Sequence, residues 1–276
     1  MKVAKTVPKF YSAPLPDCKS NTLLQPKVAR RYASVGSTNA ELLSALATAM
    51  PPASGDVFLT RAQTAGRGQG TNGWHATPGD NLTLSMCYRP DDLSVDRLFA
   101  LTQAAALAVA ATLTHFLPPA WRSDVRIKWP NDVYLGDRKV AGILIQNGLR
   151  GSHVTWCVVG IGLNVNEADF PPDLRPYATS LAAGAGERLS VEAVLDRLLH
   201  ELGYWFTTLE TAPPAALDRP YHDRLYLRGQ RHRFRRTETD ATFQATVTAV
   251  DAAGRLLLTH PDGRVEACDL RSIRYR

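Results

Sequence analysis

The segment that most constrains this 276-residue chain is an alanine-rich run from Val95 to Leu117, stopped by Pro118 and Pro119. Proline ends a helix because it has no N–H to donate and its ring crowds the preceding turn. The most apolar part, Leu101 to Leu117, is interrupted by Thr102, Gln103, Thr112, Thr114 and His115. A bilayer-spanning helix would carry few such residues, so the run is expected to be a buried helix of a soluble core with no membrane role. Apolar residues make up 45% of the chain and charged ones 21%, which supplies that core and excludes wholesale disorder.

Elements of both periods surround this helix. Val28 to Ala33 and Val57 to Leu59 read as strands. Thr38 begins a helix: Thr38 and Glu41 form a T-x-x-E capping box, and Leu42, Leu43 and Leu46 give the apolar stripe. Leu82, Leu84, Met86 and Tyr88 alternate with Asn81, Thr83, Ser85 and Cys87, the pattern of a half-buried strand. Val125–Trp129, Val133–Leu135, Val140–Gln146 and Val154–Val165 are further strands, and Val191 to Leu209 carries helical spacing. Pro213, Pro214 and Pro220 mark a boundary. Beyond it come short β-like runs punctuated by Gly229, Ala253-Gly254 and Pro261-Asp262-Gly263, where Asp-Gly signals a hairpin. The expected organisation is a poorly ordered extension over 1–27, an α/β (α+β) domain over 28–215, and a small β-barrel over 216–276.

Charge narrows the partners. The formal net charge is +6, but residues 1–32 hold 7 basic and 1 acidic side chains, and residues 221–276 hold 11 and 7. The stretch between has 14 basic and 18 acidic groups. A mildly acidic middle with basic ends fits an acidic protein partner better than a nucleic-acid footprint. The cysteines at 18, 87, 157 and 268 form no C-x-x-C pair, so a reduced chain with buried thiols is expected. The N-terminal lysines are not followed by an apolar core, so no secretory signal is expected and the location reads as cytoplasmic.

Three segments can carry chemistry. Gln63 to Trp74 holds Gly66, Arg67, Gly68, Gln69, Gly70 and Gly73; glycines let backbone N–H groups approach anionic oxygens, and Arg67 adds a charged contact. It is neither a P-loop nor a dinucleotide fingerprint. Lys128-Trp129-Pro130-Asn131-Asp132 follows a strand, and Arg138-Lys139 leads to Gly142 inside the next one. Gly160-Ile161-Gly162-Leu163-Asn164 puts two glycines in an apolar strand, leaving a slot for a flat or apolar ligand. Ser37 and Asn39 flank Thr38, whose presence capping explains. Each segment alone is also compatible with an ordinary loop, turn or strand end.

In this order and spacing, Ser37-Thr38-Asn39, Gln63 with Gly66-Arg67-Gly68 and Trp74, Asn81 to Met86, Lys128 to Asp132, Lys139 to Leu144 and Gly160 to Asn164 resemble the biotin protein ligases. The resemblance runs from about Val28 to the end. It implies a central mixed sheet flanked by helices, a C-terminal SH3-like barrel, and ATP-dependent formation of biotinyl-5′-AMP before transfer to a lysine of a biotin carboxyl carrier protein. It further implies that Ser37, Thr38, Asn39, Gln63, Arg67, Gly68, Gln69, Lys128, Gly142, Gly160 and Leu163 face biotin. Arg67, Trp74, Asn131, Lys139 and Asn164 would face ATP, with Mg²⁺ on the triphosphate. Lys128 and Arg67 would be catalytic, Lys128 bridging the biotin carboxyl and the α-phosphate.

Members of the family often carry basic residues two and three positions after Arg67, where this chain has Gln69 and Gly70. Weaker retention of the adenylate is therefore expected. Some members add a DNA-binding domain; the residues before Ser37 show no two-helix pattern, so a monofunctional ligase without specific DNA binding is expected. Association as a homodimer stays open. The rivals are a lipoate–protein ligase or octanoyltransferase of the same fold and, from a different class, a nucleic-acid-binding protein using the basic C-terminal strands.

Overall fold

The structure, a computed structural model, describes residues 23–70 and 72–276. Most of the N-terminal extension, residues 1–22, therefore lies outside the described residues. Leu24 donates its backbone N–H to Thr207 Oγ1 at 3.0 Å, so the chain is already anchored before the first strand.

The first layer is a seven-stranded mixed sheet of order β1-β2-β3-β7-β6-β5-β4. Its strands are β1 (Lys27–Tyr32), β2 (Asp56–Thr60), β3 (Leu82–Tyr88), β4 (Val125–Lys128), β5 (Asp132–Leu135), β6 (Arg138–Arg150) and β7 (His153–Leu163). Only the β1–β2 ladder is parallel. Helix α1 (Thr38–Leu46) crosses between β1 and β2. The alanine-rich run forms α2 (Leu98–Phe116), entered through a 3₁₀ turn at Val95–Arg97. After β7 come α3 (Leu181–Ala185), α4 (Val191–Thr211) and α5 (Ala215–Asp223).

Helix α2 is the hub. Val95–Phe116 has the length and hydropathy of a membrane span. Here it is covered by protein instead: Leu101, Ala104, Ala105, Ala108, Val109 and Leu113 are fully buried between the sheet and α4. Its alanines allow the close approach that large side chains would prevent. Gln103 Nε2 donates to Asp218 Oδ1 of α5 at 2.9 Å, so the proline-bearing stretch assigned to the domain boundary folds as a helix on α2.

Strand β3 departs from the alternating expectation, because all seven of its residues are buried. Leu82, Leu84, Met86 and Tyr88 enter the large core under α2. Cys87, on the other face, joins Leu42, Ala45, Phe58 and Val158 beneath α1. Thr83 and Ser85 share that second face. Alternation assigned the faces correctly, and only the packing shows that the polar one is covered too.

The C-terminal layer is a five-stranded antiparallel sheet of order β11-β10-β9-β8-β12. It comprises β8 (Arg231–Arg236), β9 (Thr242–Val250), β10 (Leu256–Thr259), β11 (Val265–Cys268) and β12 (Ile273–Tyr275). The segment before β8 covers the open edge of the first sheet, where Leu225 bridges Ile127 in parallel. Trp129 Nε1 donates to Gly254 O at 2.8 Å across the two layers.

Candidate active site

The second face of the first sheet carries a cavity of about 110 Å³ at the centre of the molecule. All three segments named from the sequence reach it, and on the strands alternation selects which residues do. In β7 the residues turned to the cavity are Gly160 and Gly162, in β6 Gly142, and in β5 Asp132. Ser37, Thr38, Asn39, Gln63, Arg67, Gly68, Gln69, Trp74, Asn131 and Lys139 also line it.

One end is a hydrogen-bonded cluster at the start of α1. The expected capping box does not form: Ser37 occupies the N-cap position and Thr38 is already helical. Gln63 supplies the cap from elsewhere, because Thr38 N donates to Gln63 Oε1 at 2.8 Å. Residues 63–65 are held there by pairing with Val35 and Gly36. The Ser37 side chain makes no capping bond and faces the cavity.

Ser85, fully buried on β3, lies 2.7 Å from Thr38 Oγ1 and 2.5 Å from Asn39 Oδ1. A hydroxyl has one proton, and a carboxamide oxygen only accepts. Ser85 Oγ donates toward both Asn39 Oδ1 and Thr38 Oγ1, sharing its one proton between them, and Thr38 Oγ1 donates to Gln63 Oε1 at 3.3 Å. The Asn39 amide is oriented by its Nδ2 donating to Gln146 Oε1 at 3.1 Å and Leu144 O at 3.3 Å. The Thr38 hydroxyl thus accepts from Ser85, turns its own proton to Gln63 and keeps a second lone pair for a ligand donor. Ser85 and Gln146 were not among the site residues read from the sequence. The signal for Ser85 was its place on the polar face of β3, taken there for a solvent face.

At the other end are charges. Lys139 Nζ is 2.7 Å from Asp132 Oδ1 and 5.6 Å from the centre of the Trp74 ring. Arg67 bridges Gly73 within the glycine loop. The loop's N–H groups are less free than expected, since Gly68 N donates to Asn72 O and Trp74 N to Gly66 O. A Cβ on Gly66 would sit 2.5 Å from Trp74 O, so that glycine serves a close backbone crossing.

The glycine slot is real, and a side chain of the protein fills it. A Cβ on Gly162 would be 2.2 Å from the Trp74 indole, and one on Gly160 would be 2.2 Å from Asn39 Oδ1. The indole Nε1 is buried without a partner among the described residues.

Three predicted site residues are elsewhere. Leu163 alternates onto the opposite face and is fully buried in the α2 core. Asn164 follows the strand end, where its Nδ2 donates to Thr179 O at 3.1 Å. Lys128, read as catalytic, does not line the cavity. It stands on edge strand β4, paired in register with Asp132. Its Nζ donates to Tyr134 OH at 3.0 Å and lies 4.8 Å from the rings of Tyr134 and Tyr275 and 5.8 Å from Tyr226. Burial pushes the Lys128 ammonium below its ordinary value, with Asp132 opposing and Lys139 reinforcing the shift. Lys128 thus stands beside the charged end of the cavity, where Asp132 and Lys139 both act on its ammonium.

One face of the mixed sheet thus joins an oriented polar cluster to a charged end formed by Arg67, Lys139 and Asp132, with the glycine loop beside both. Residues 33–164 match the Biotin/lipoate A/B protein ligase family. A biotin–[acetyl-CoA-carboxylase] ligase of Paracoccus denitrificans is 34% identical over 236 residues, covering 84% of this chain and 94% of that protein. The bifunctional ligase/repressor BirA of Bacillus subtilis is 35% identical over 147 residues, 52% of this chain, and the match spans only 44% of that relative's length. The structure of the Aquifex aeolicus biotin protein ligase in complex with biotin and ATP superposes with a TM-score of 0.72 at 21% identity, covering 89% of this chain and 98% of that one. This chain belongs to the biotin protein ligase family.

Proposed function

We propose that the chain activates biotin with ATP and transfers it to a lysine of a biotin carboxyl carrier protein. The observation that carries this reading is the cavity's polarity: an oriented hydrogen-bonding cluster and a cationic end sit on one sheet face. Ser37, Thr38, Asn39 and Gln63 suit a ureido group, which offers two N–H donors and one carbonyl acceptor. Arg67 and Lys139 suit a carboxylate meeting a phosphate.

In the first step the biotin carboxylate attacks the α-phosphorus of ATP, and pyrophosphate leaves with the bridging oxygen. Arg67 and Lys139, with Lys128 beside them, stabilise the charge gathering on the α-phosphoryl oxygens. In the second step the carrier lysine amine attacks the acyl carbon, AMP leaves, and the amine proton passes to solvent. Mg²⁺ would screen the triphosphate charge when bound, and Asp132, the carboxylate that lines the cavity, would be the side chain to hold it. Among the described residues no cluster of three or more His, Cys, Asp or Glu forms a protein-only metal site. That fits a Mg²⁺ ion held largely by phosphate oxygens and water.

The cavity of 110 Å³ is smaller than the about 300–1,000 Å³ of most ligand pockets. Ligand entry therefore involves withdrawal of Trp74 from Gly162, with the described residues 66–70 and 72–74 moving as a lid that then excludes water from the adenylate. The C-terminal sheet is read as the SH3-like domain implied by the resemblance. The reading places the enzyme in the cytoplasm and needs neither a membrane nor a DNA site.

The named relatives favour biotin over lipoate or octanoate. Incubation with labelled biotin, ATP, Mg²⁺ and a carrier domain tests this directly. Label on the carrier lysine is expected; no biotin transfer together with lipoyl transfer would overturn it.

A further inference from the structure

We infer that Glu167 is a positioning residue for the lid over the adenylate: it fixes the lid's C-terminal root at Thr77 and so sets where the Trp74 indole closes over the intermediate. This rests on the ligase reading above and adds what holds the intermediate in place. Glu167 does not line the cavity and is only 3% exposed. Its Oε1 accepts from Thr77 Oγ1 at 2.8 Å, and its Oε2 accepts from Thr77 N at 2.8 Å and from Asn81 Nδ2 at 2.7 Å. All of these partners are neutral donors. A buried carboxyl group is costly without such bonds, so the clasp holds together as a unit. Its neighbours tighten it: Asn81 Oδ1 accepts from Val165 N at 2.9 Å, and Asp80 O accepts from Asn166 N at 3.0 Å. Residues 77–81, which lead into β3, are thereby fastened to residues 165–167, which follow β7.

The lid's other root is fastened as firmly. Thr64 N and Ala65 N donate to Val35 O and Gly36 O, each at 2.9 Å. Between the two roots the loop bonds only to itself. Gly68 N donates to Asn72 O, Asn72 N to Gln69 O and Trp74 N to Gly66 O. Among the described residues, 66–70 and 72–76 make no hydrogen bond to the rest of the protein. A segment held at its two ends and unbonded to the body between them can lift as one piece.

Only His75 and Ala76 separate Trp74 from Thr77, so the tether is short and its fixed end decides where the indole lands. The indole rests on Gly162 of β7, and Glu167 lies just beyond the same strand. The strand that forms the floor under the indole therefore leads directly to the clasp on the loop that carries it. Releasing Thr77 adds closed conformations in which the indole misses Gly162 and leaves the adenylate uncovered.

The test uses the full-length protein as wild type, Glu167→Met, Thr77→Val and Glu167→Gln. Methionine keeps the length of the side chain and removes every bond of the clasp, while valine removes only that of the Thr77 hydroxyl. Glutamine keeps the clasp, because its oxygen can accept from Thr77 N and Asn81 Nδ2 while its amide donates to the Thr77 hydroxyl. Without carrier, pyrophosphate turnover is limited by escape of biotinyl-5′-AMP from under the lid. A loosened lid speeds it, whereas loss of folded enzyme slows it. Glu167→Met is expected to release labelled biotinyl-5′-AMP about tenfold faster than wild type, with faster carrier-free pyrophosphate turnover and a raised biotin KM. Thr77→Val should fall between the two, and Glu167→Gln should stay near wild type. Where Glu167→Met does not fold, Thr77→Val decides. Wild-type release rates in every folded variant, whatever its Tm, would overturn the positioning role and leave the ligase reading standing. No biotin-dependent pyrophosphate release from wild type would instead overturn the ligase reading.

Discussion

Replacing Ser85 by alanine tests the proton ordering at the heart of the cavity. The change deletes one hydroxyl from a fully buried position and leaves the backbone of β3 untouched. Asn39 Oδ1, in a residue only 5% exposed, loses its 2.5 Å donor. Thr38 Oγ1 loses its 2.7 Å donor and is held only by its own bond to Gln63 Oε1, 3.3 Å away. An unsatisfied buried acceptor costs about 1–3 kcal/mol. For a domain of this size, about 2 kcal/mol corresponds to a fall in Tm of about 4–8 °C. Loss of the fixed Thr38 lone pair should also raise the biotin KM by roughly tenfold, the equivalent of about 1.4 kcal/mol. Because the Ser85 hydroxyl bonds to Thr38 and Asn39 and not to Lys139 or Arg67, kcat should stay near wild type. Thermal melting and steady-state pyrophosphate release measure both quantities. A Ser85→Ala protein with wild-type Tm and wild-type biotin KM would refute the relay.

Lys139→Ala should reduce biotin-dependent pyrophosphate release by about 10²–10³-fold, the usual loss for a preorganised electrostatic contact, and Lys128→Ala by clearly less. The reverse order, measured by single-turnover adenylate formation, would return Lys128 to the central role. Gln69→Arg should slow adenylate release, since it restores a cation to a loop position that lines the cavity; equal release rates from both proteins would remove residue 69 from intermediate retention. Glu266 accepts two bonds from Arg236, at 2.8 and 2.9 Å, and these bring its carboxyl down to about 2, with His260 adding to the effect and burial opposing it. A depressed carboxyl stabilises the fold above its unfolded value of 4.5 and ceases to as pH falls toward 2. The Tm gap between wild type and Glu266→Gln should therefore be constant at neutral pH and close between those limits; a gap that persists at pH values near 2 would contradict it.

Much of the site was legible because strands have a period of two. The glycines at 160, 162 and 142 had to share a face with one another once their strands paired, and Ser37-Thr38-Asn39 had to begin a helix. Three of the residues read as site residues do not line the cavity, each for its own reason. Leu163 sits one residue along β7 from Gly162, which inverts its face, and Asn164 falls beyond the strand. Lys128 has the correct face but lies on the outermost strand, and strand order is not local information. Ser85 was visible as polar, yet nothing within β3 says that α1 would cover it.

The sequence by itself determined the elements, the buried helix, the glycine positions and the family, because each depends on neighbours a few residues apart or on an ordered set of short motifs. The tertiary structure alone decided which lysine enters the cavity, which residue caps α1, and where the Trp74 indole rests. Those outcomes depend on contacts such as Gln63 with Thr38 and Gly162 with Trp74, whose partners lie far apart along the chain.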